Sequence, residues 1–183
     1  MENRSQISRE EVIGAIKAST EEVFSTMLGL EIEAGETPVE MAVAASPTSG
    51  LVTLIGLAGP WSGTGSVACT GAFACTMASH LLASPFENVN EEVLDAIGEI
   101  TNMIIGNVKT ALEEKLGEMG LSTPTVIFGR NFQTRSARIQ EWTVVPFRCG
   151  EETMYVQVCL APTAGESPRA VRLGFQIPQI LAI

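Results

Sequence analysis

DAIGEITNMIIGN, residues 95–107, has the apolar spacing of a long amphipathic helix, yet two glycines sit inside it. Around it Val93, Ile97, Ile100, Ile104, Val108, Leu112, Leu116 and Met119 recur every three or four residues and form one apolar stripe. At about 100° per residue, Asp95, Glu99, Asn102, Gly106, Lys109 and Glu113 fall on a different stripe, away from the core side. An interior glycine costs a helix about 1 kcal/mol against alanine, and Gly98 and Gly106 stand four residues before and after Asn102. Positions four apart share a face. The spacing therefore predicts bare backbone on both sides of the Asn102 side chain, where a partner surface approaches closely, with Glu99 beside it.

Working outward, Asn88 or Asn90 is placed to cap this helix, which is expected to run to about Met119 before Gly120 ends it. An earlier helix is announced by SREE, residues 8–11, where Ser8 and Glu11 have capping-box spacing; it should start near Arg9 and reach Gly29 or Leu30. VEMAVAA, GLVTLIGLA and GSVACTG read as strands, followed by a helix over AFACTMASHLLA. That helix has no charged face, which predicts cover on two sides, within the domain or from a second subunit. After Pro124, TVIFGRN, SARIQEWTVVPFR, TMYVQVCLA and AVRLGFQI read as strands, with turns at Cys149–Glu152 and Thr163–Pro168. The order of elements is that of an α+β fold, an antiparallel sheet packed against long helices, in one domain spanning residues 1–183.

A faint internal repeat crosses the chain. Glu22 to Gly29 (EVFSTMLG) aligns with Glu99 to Gly106 (EITNMIIG), and each is followed by a Thr-Pro pair, Thr37-Pro38 and Thr123-Pro124. The alignment divides the domain into degenerate halves, 8–86 and 87–183, and puts Ser25 where Asn102 stands.

Composition bounds the function. The formal charge of −10 is unevenly spread: residues 18–108 carry eleven acids and no base. Such a chain repels phosphate backbones and anionic lipid, so nucleic acid and membrane surfaces are excluded as partners and a protein partner is favoured. The uncharged run from Met41 to Phe86 is broken by Pro and Gly too often for a membrane span. Cys69, Cys75, Cys149 and Cys159 form no CxxC pair, and the single His80 completes no metal motif, so no metal or cofactor of the chain's own is expected. The N-terminal MENRSQISREEV lacks an apolar segment, which reads as cytoplasmic.

The chemistry available to Glu99 and Asn102 is narrow. An Asn amide takes no proton at neutral pH but donates from its NH₂ and accepts at its oxygen, as orienting a water requires. A Glu carboxylate serves as a base or pairs with a partner's cation. On the bland reading the two only solvate an exposed helix face. Arg130, Arg135 and Arg138 read as a solvated strand face, and GPWSGTGS lacks the spacing of a nucleotide-binding loop. Asp95 in turn reads either as part of the site or as a helix first-turn charge.

The stretch EEVLDAIGEITNMIIGNVKTALEEKLGEMGLSTPTVIFGRN resembles the CheX family of chemotaxis phosphatases, within the wider CheC, FliY and CheX group. That group's pattern of Asp or Ser, three residues, Glu, two residues, Asn and a later Pro is matched by Asp95, Glu99, Asn102 and Pro124. STEEVFSTMLGLEI and GLAGPWSGTGSV extend the likeness upstream. The resemblance implies a CheC-like pseudo-duplicated architecture and hydrolysis of the aspartyl phosphate of a CheY-like response regulator. It further implies catalytic Glu99 and Asn102, a partner-binding face at Asp95, Gly98 and Gly106, Mg²⁺ held by the partner, and a homodimer. A one-site protein is implied too, since the first half offers Glu22 and Ser25. The alternative is a non-catalytic module that binds a phosphorylated regulator or a flagellar switch component.

Overall fold

The structure, a computed structural model, describes residues 7–36, 49–130 and 141–163. Ser8 opens the first helix as expected: its hydroxyl accepts from the Glu11 N–H at 3.2 Å, and the Glu11 carboxylate accepts from the Ser8 N–H at 2.9 Å. Helix α1 runs Arg9–Val23 and passes directly into a π-helical turn, Phe24–Leu28, which ends at Gly29 with φ +63°. The strands are β1 (Glu33–Ala34), β2 (Ser49–Ala58), β3 (Trp61–Cys69), β4 (Gly120–Leu121), β5 (Thr125–Arg130), β6 (Thr143–Cys149) and β7 (Glu152–Pro162). Helices α2 (Gly71–Leu82) and α3 (Glu91–Leu116) lie between β3 and β4 in the chain. The strands expected over 39–45 and in AVRLGFQI, the Thr37-Pro38 pair, Arg135, Arg138 and most of the Thr163–Pro168 turn lie outside the described residues.

All pairings are antiparallel, in the order β1-β6-β7-β3-β2, with β4 and β5 both on the outer side of β2. The order has an internal two-fold logic. Hairpin β2–β3 joins hairpin β6–β7 through β3 and β7; β1, which follows the first long helix, pairs with β6, while β4, which follows α3, pairs with β2. Each half of the chain thus lends a two-residue strand to the hairpin of the other, the pseudo-duplication that the repeat had implied.

The helices lie on one face of the sheet. Leu51, Ile55 and Leu57 of β2, Val67 and Cys69 of β3, and Met154, Val156 and Val158 of β7 meet Ile97, Ile100, Ile104 and Ile105 of α3 in one core. Gly65 lets α3 settle onto β3: a Cβ there would come 2.7–2.9 Å from three Ile105 side-chain carbons. The opposite sheet face is also dry at Ser66, Val144, Gln157 and Cys159. Helices α1 and α3 run antiparallel, since Glu11 pairs with Lys115 while Glu22 accepts from Asn107 at 3.4 Å. Helix α2 buries Phe73, Ala74, Cys75, Met77 and Ala78, more than half of its circumference. Ala72, Thr76 and His80 remain exposed, so the cover expected on two sides is a single broad arc. The His80 Nδ1–H donates to the Leu28 carbonyl at 2.9 Å and ties α2 to the π-helical turn.

Candidate functional site

Helix α3 is built to be rigid. Asn90 caps it by accepting from the Val93 N–H at 3.0 Å, Glu91 and Glu92 occupy the positive first turn, and its buried side runs from Val93 to Leu116. It ends at Gly117, not Gly120, because Gly117 takes φ +82° and packs against Pro60. Beyond it Met119 is buried outside the helix, its N–H donating to Glu113 at 2.9 Å.

Asp95 and Glu99 are exposed and Asn102 is half-buried, all on the side of α3 turned from the core. Among the described residues, neither Glu99 nor Asn102 has a side-chain hydrogen bond or ion pair. Beneath them Thr101 is buried and satisfied, its hydroxyl donating to the Ile97 carbonyl at 2.8 Å. Farther along the stripe Lys109 and Glu113 pair at 2.7 Å. The Lys109 ammonium, helped by the Met119 N–H, holds the Glu113 carboxyl below its ordinary range. The stripe therefore divides into a self-paired end and an open end.

The glycines differ from expectation. Gly98 is buried, and the space a Cβ would fill faces this chain's own Pro124 at 3.7 Å and Val126 at 3.6 Å. Gly106 is half-buried and faces Leu121 at 3.8 Å. Bare backbone waiting for a partner is thus corrected at Gly98 and narrowed at Gly106: the two glycines seat the β4–β5 connection along α3. Sequence reasoning matched Pro124 to the pattern but missed this contact, whose only local signal was the pair of costly glycines.

The pseudo-equivalent position is occupied differently. Ser25 lies in the π-helical turn, its hydroxyl donating to the Glu22 carbonyl at 3.1 Å, and the Glu22 carboxylate accepts from Asn107. The first half thus lacks both the amide and the free carboxylate of the second. Thiol chemistry is disfavoured as well. Burial, with the charges of Glu152 and Cys75 adding, pushes the Cys69 thiol up to about 12, and burial raises Cys75, Cys149 and Cys159 too. Among the described residues no three His, Cys, Asp or Glu side chains converge as a metal site, and no helix is long and apolar enough to cross a membrane.

What the open end offers is one amide and one carboxylate, three residues apart, on a helix whose other side is buried in the core. Proteins of known class share this framework. The CheY-P phosphatase CheX of Thermotoga maritima is 29% identical over 126 residues, 68% of this chain and 80% of that protein. The crystal structure of a chemotaxis protein CheX from Desulfovibrio desulfuricans superposes with TM-score 0.73 and 27% identity, covering 82% of this chain and 99% of the other. A CheX–CheY–BeF3–Mg²⁺ complex from Borrelia burgdorferi shares the fold, with TM-score 0.70 and 24% identity over 81% of this chain and 97% of the other. The family model for chemotaxis phosphatase CheX matches residues 51–148, more than half of the sequence and the whole of α3, and the chain belongs to that family.

Proposed function

We propose that this chain hydrolyses the aspartyl phosphate of a CheY-like response regulator, with Asn102 positioning the attacking water and Glu99 engaging a cation of the regulator. The observation that carries this reading is the Glu99 and Asn102 side chains, without a partner among the described residues, on the outward side of a helix whose other side is fixed in the core. Phosphoryl transfer asks a protein mainly for alignment and charge stabilisation, and an amide that both donates and accepts holds one water in line without acting as a base. The name of the Thermotoga maritima relative supports the substrate, and the Borrelia burgdorferi complex, with its CheY and Mg²⁺, supports a metal that belongs to the regulator.

In this reading Asp95 and Gly106 border the docking face, and Gly98 contributes by seating Pro124 beside it. The protein acts in the cytoplasm as a homodimer with one site per chain, Ser25 and Glu22 being already engaged. The test is the decay of phosphate on a purified CheY-like regulator with Mg²⁺. The native protein is expected to accelerate decay and the Asn102→Ala variant to leave it at the intrinsic rate. Equal acceleration by both would remove water positioning from the mechanism.

A further inference from the structure

The two glycine contacts fix where the β4–β5 connection runs. Leu121 lies over Gly106 and Pro124 over Gly98, so the connection travels antiparallel to α3. Eight helical residues rise about 12 Å, and the three steps from Leu121 to Pro124 span at most about 11 Å, so the connection is close to extended and the Leu121 side chain makes up the difference, its Cδ1 being the atom that faces Gly106. Ser122 and Thr123 therefore pass at the level of Asn102. Around the helix, residues four apart differ by about 40°, so Asn102 points between the directions of Gly98 and Gly106. The connection passes Asn102 on this side of the helix, in keeping with the half-burial of Asn102.

This flank is pinned. The Gly56 N–H donates to the Ser122 hydroxyl at 2.8 Å, the Ser122 N–H donates to the Gly56 carbonyl at 2.9 Å, and the Ser122 hydroxyl donates to the Thr123 carbonyl at 3.0 Å. Pro124 restricts Thr123 to extended backbone. Thr123 is exposed, and among the described residues its side chain has no hydrogen-bond partner. A fixed backbone presenting a free hydroxyl loses little entropy on docking.

We infer that Ser122–Pro124 is the second wall of the surface that receives the regulator, with Thr123 touching it beside Asn102. The inference rests on the proposed function. A body whose phosphate reaches Asn102 meets Glu99 and Asp95 on α3 and Thr123 on the connection that passes it. Contact at Thr123 governs how well the regulator seats, while the amide governs the chemistry.

The experiment is the initial rate of phosphate loss against regulator concentration for the native chain, Thr123→Arg, Thr123→Ser and, as a control on the exposed side of α2, Thr76→Arg. A bulky cation in a close contact is expected to raise KM about tenfold or more, with kcat and melting temperature little changed, and Thr123→Ser and Thr76→Arg near native. An unchanged KM for Thr123→Arg, with Asn102→Ala inactive, would overturn the wall and leave the function standing. Should the native chain give no turnover, the function falls instead, and titration with the BeF3-bound regulator decides the wall: weaker binding by Thr123→Arg supports it, equal binding overturns it.

Discussion

Pro124 lies 3.7 Å from the point that a Cβ on Gly98 would occupy, an ordinary van der Waals distance. Alanine therefore fits at 98 without displacing β5. Gly98→Ala is expected to raise the melting temperature, through helix propensity of up to about 1 kcal/mol, with turnover retained. Gly65→Ala should act in the opposite sense. Its Cβ meets Ile105 at 2.7–2.9 Å, and overpacking of that kind costs about 1–3 kcal/mol. Thermal melts of the two variants check the contrast.

Asn102 and Glu99 should separate kinetically. Asn102→Ala is expected to abolish accelerated phosphate decay while still binding a regulator held with BeF3, because the amide acts on the water. Glu99→Ala is expected to weaken that binding, because the carboxylate pairs with the partner. If Glu99→Ala binds as tightly as native, the ion pair is not part of docking.

Acid should loosen the C-terminal end of α3. The Glu113 carboxyl is held below its ordinary value of 4.5, chiefly by Lys109 and then by the Met119 N–H, and Glu11 is lowered by Lys115 and Ser8. A lowered folded-state pKa means stability that is fully present above the unfolded value and lost as pH falls through the folded one. Stability is therefore expected to be flat with respect to these groups above 4.5 and to decline below it. Glu113→Gln should make that decline shallower, measured by denaturant midpoints across the acid range.

Thr53, in the middle of β2, buries a hydroxyl that has no partner among the described residues. A desolvated, unpaired polar group costs about 1–3 kcal/mol. Thr53→Val, nearly the same in shape, is expected to raise stability, with turnover unchanged. A lower melting temperature would show that the hydroxyl is satisfied in solution.

Local signals carried the long elements. The Ser8–Glu11 box placed the start of α1, and Asn88 or Asn90 bracketed that of α3, where Asn90 is the cap, because a cap is a contact three residues long and is written in adjacent positions. What failed to show was contact across the chain. β3 starts at Trp61, four residues before the strand expected at GSVACTG, and Gly63 is what its close pairing with β7 requires, since a side chain there would collide with the Cys159 carbonyl of the neighbouring strand. Gly98 was legible as costly but not as the seat of Pro124, twenty-six residues on. The π-helical turn at Phe24–Leu28 was hidden too, since EVFSTMLG and EITNMIIG share their pattern of residue types while only the second stays α-helical.

The exchange of β1 and β4 between hairpins also sets an order of events during synthesis. When β2 and β3 have left the ribosome, β1 has no strand to join and β3 presents an open edge, because their neighbours β6 and β7 lie about eighty or more residues later. The first half must wait, partly paired, until the chain has grown past residue 160. Its folding rate is thereby tied to distant contacts and not to its own helices.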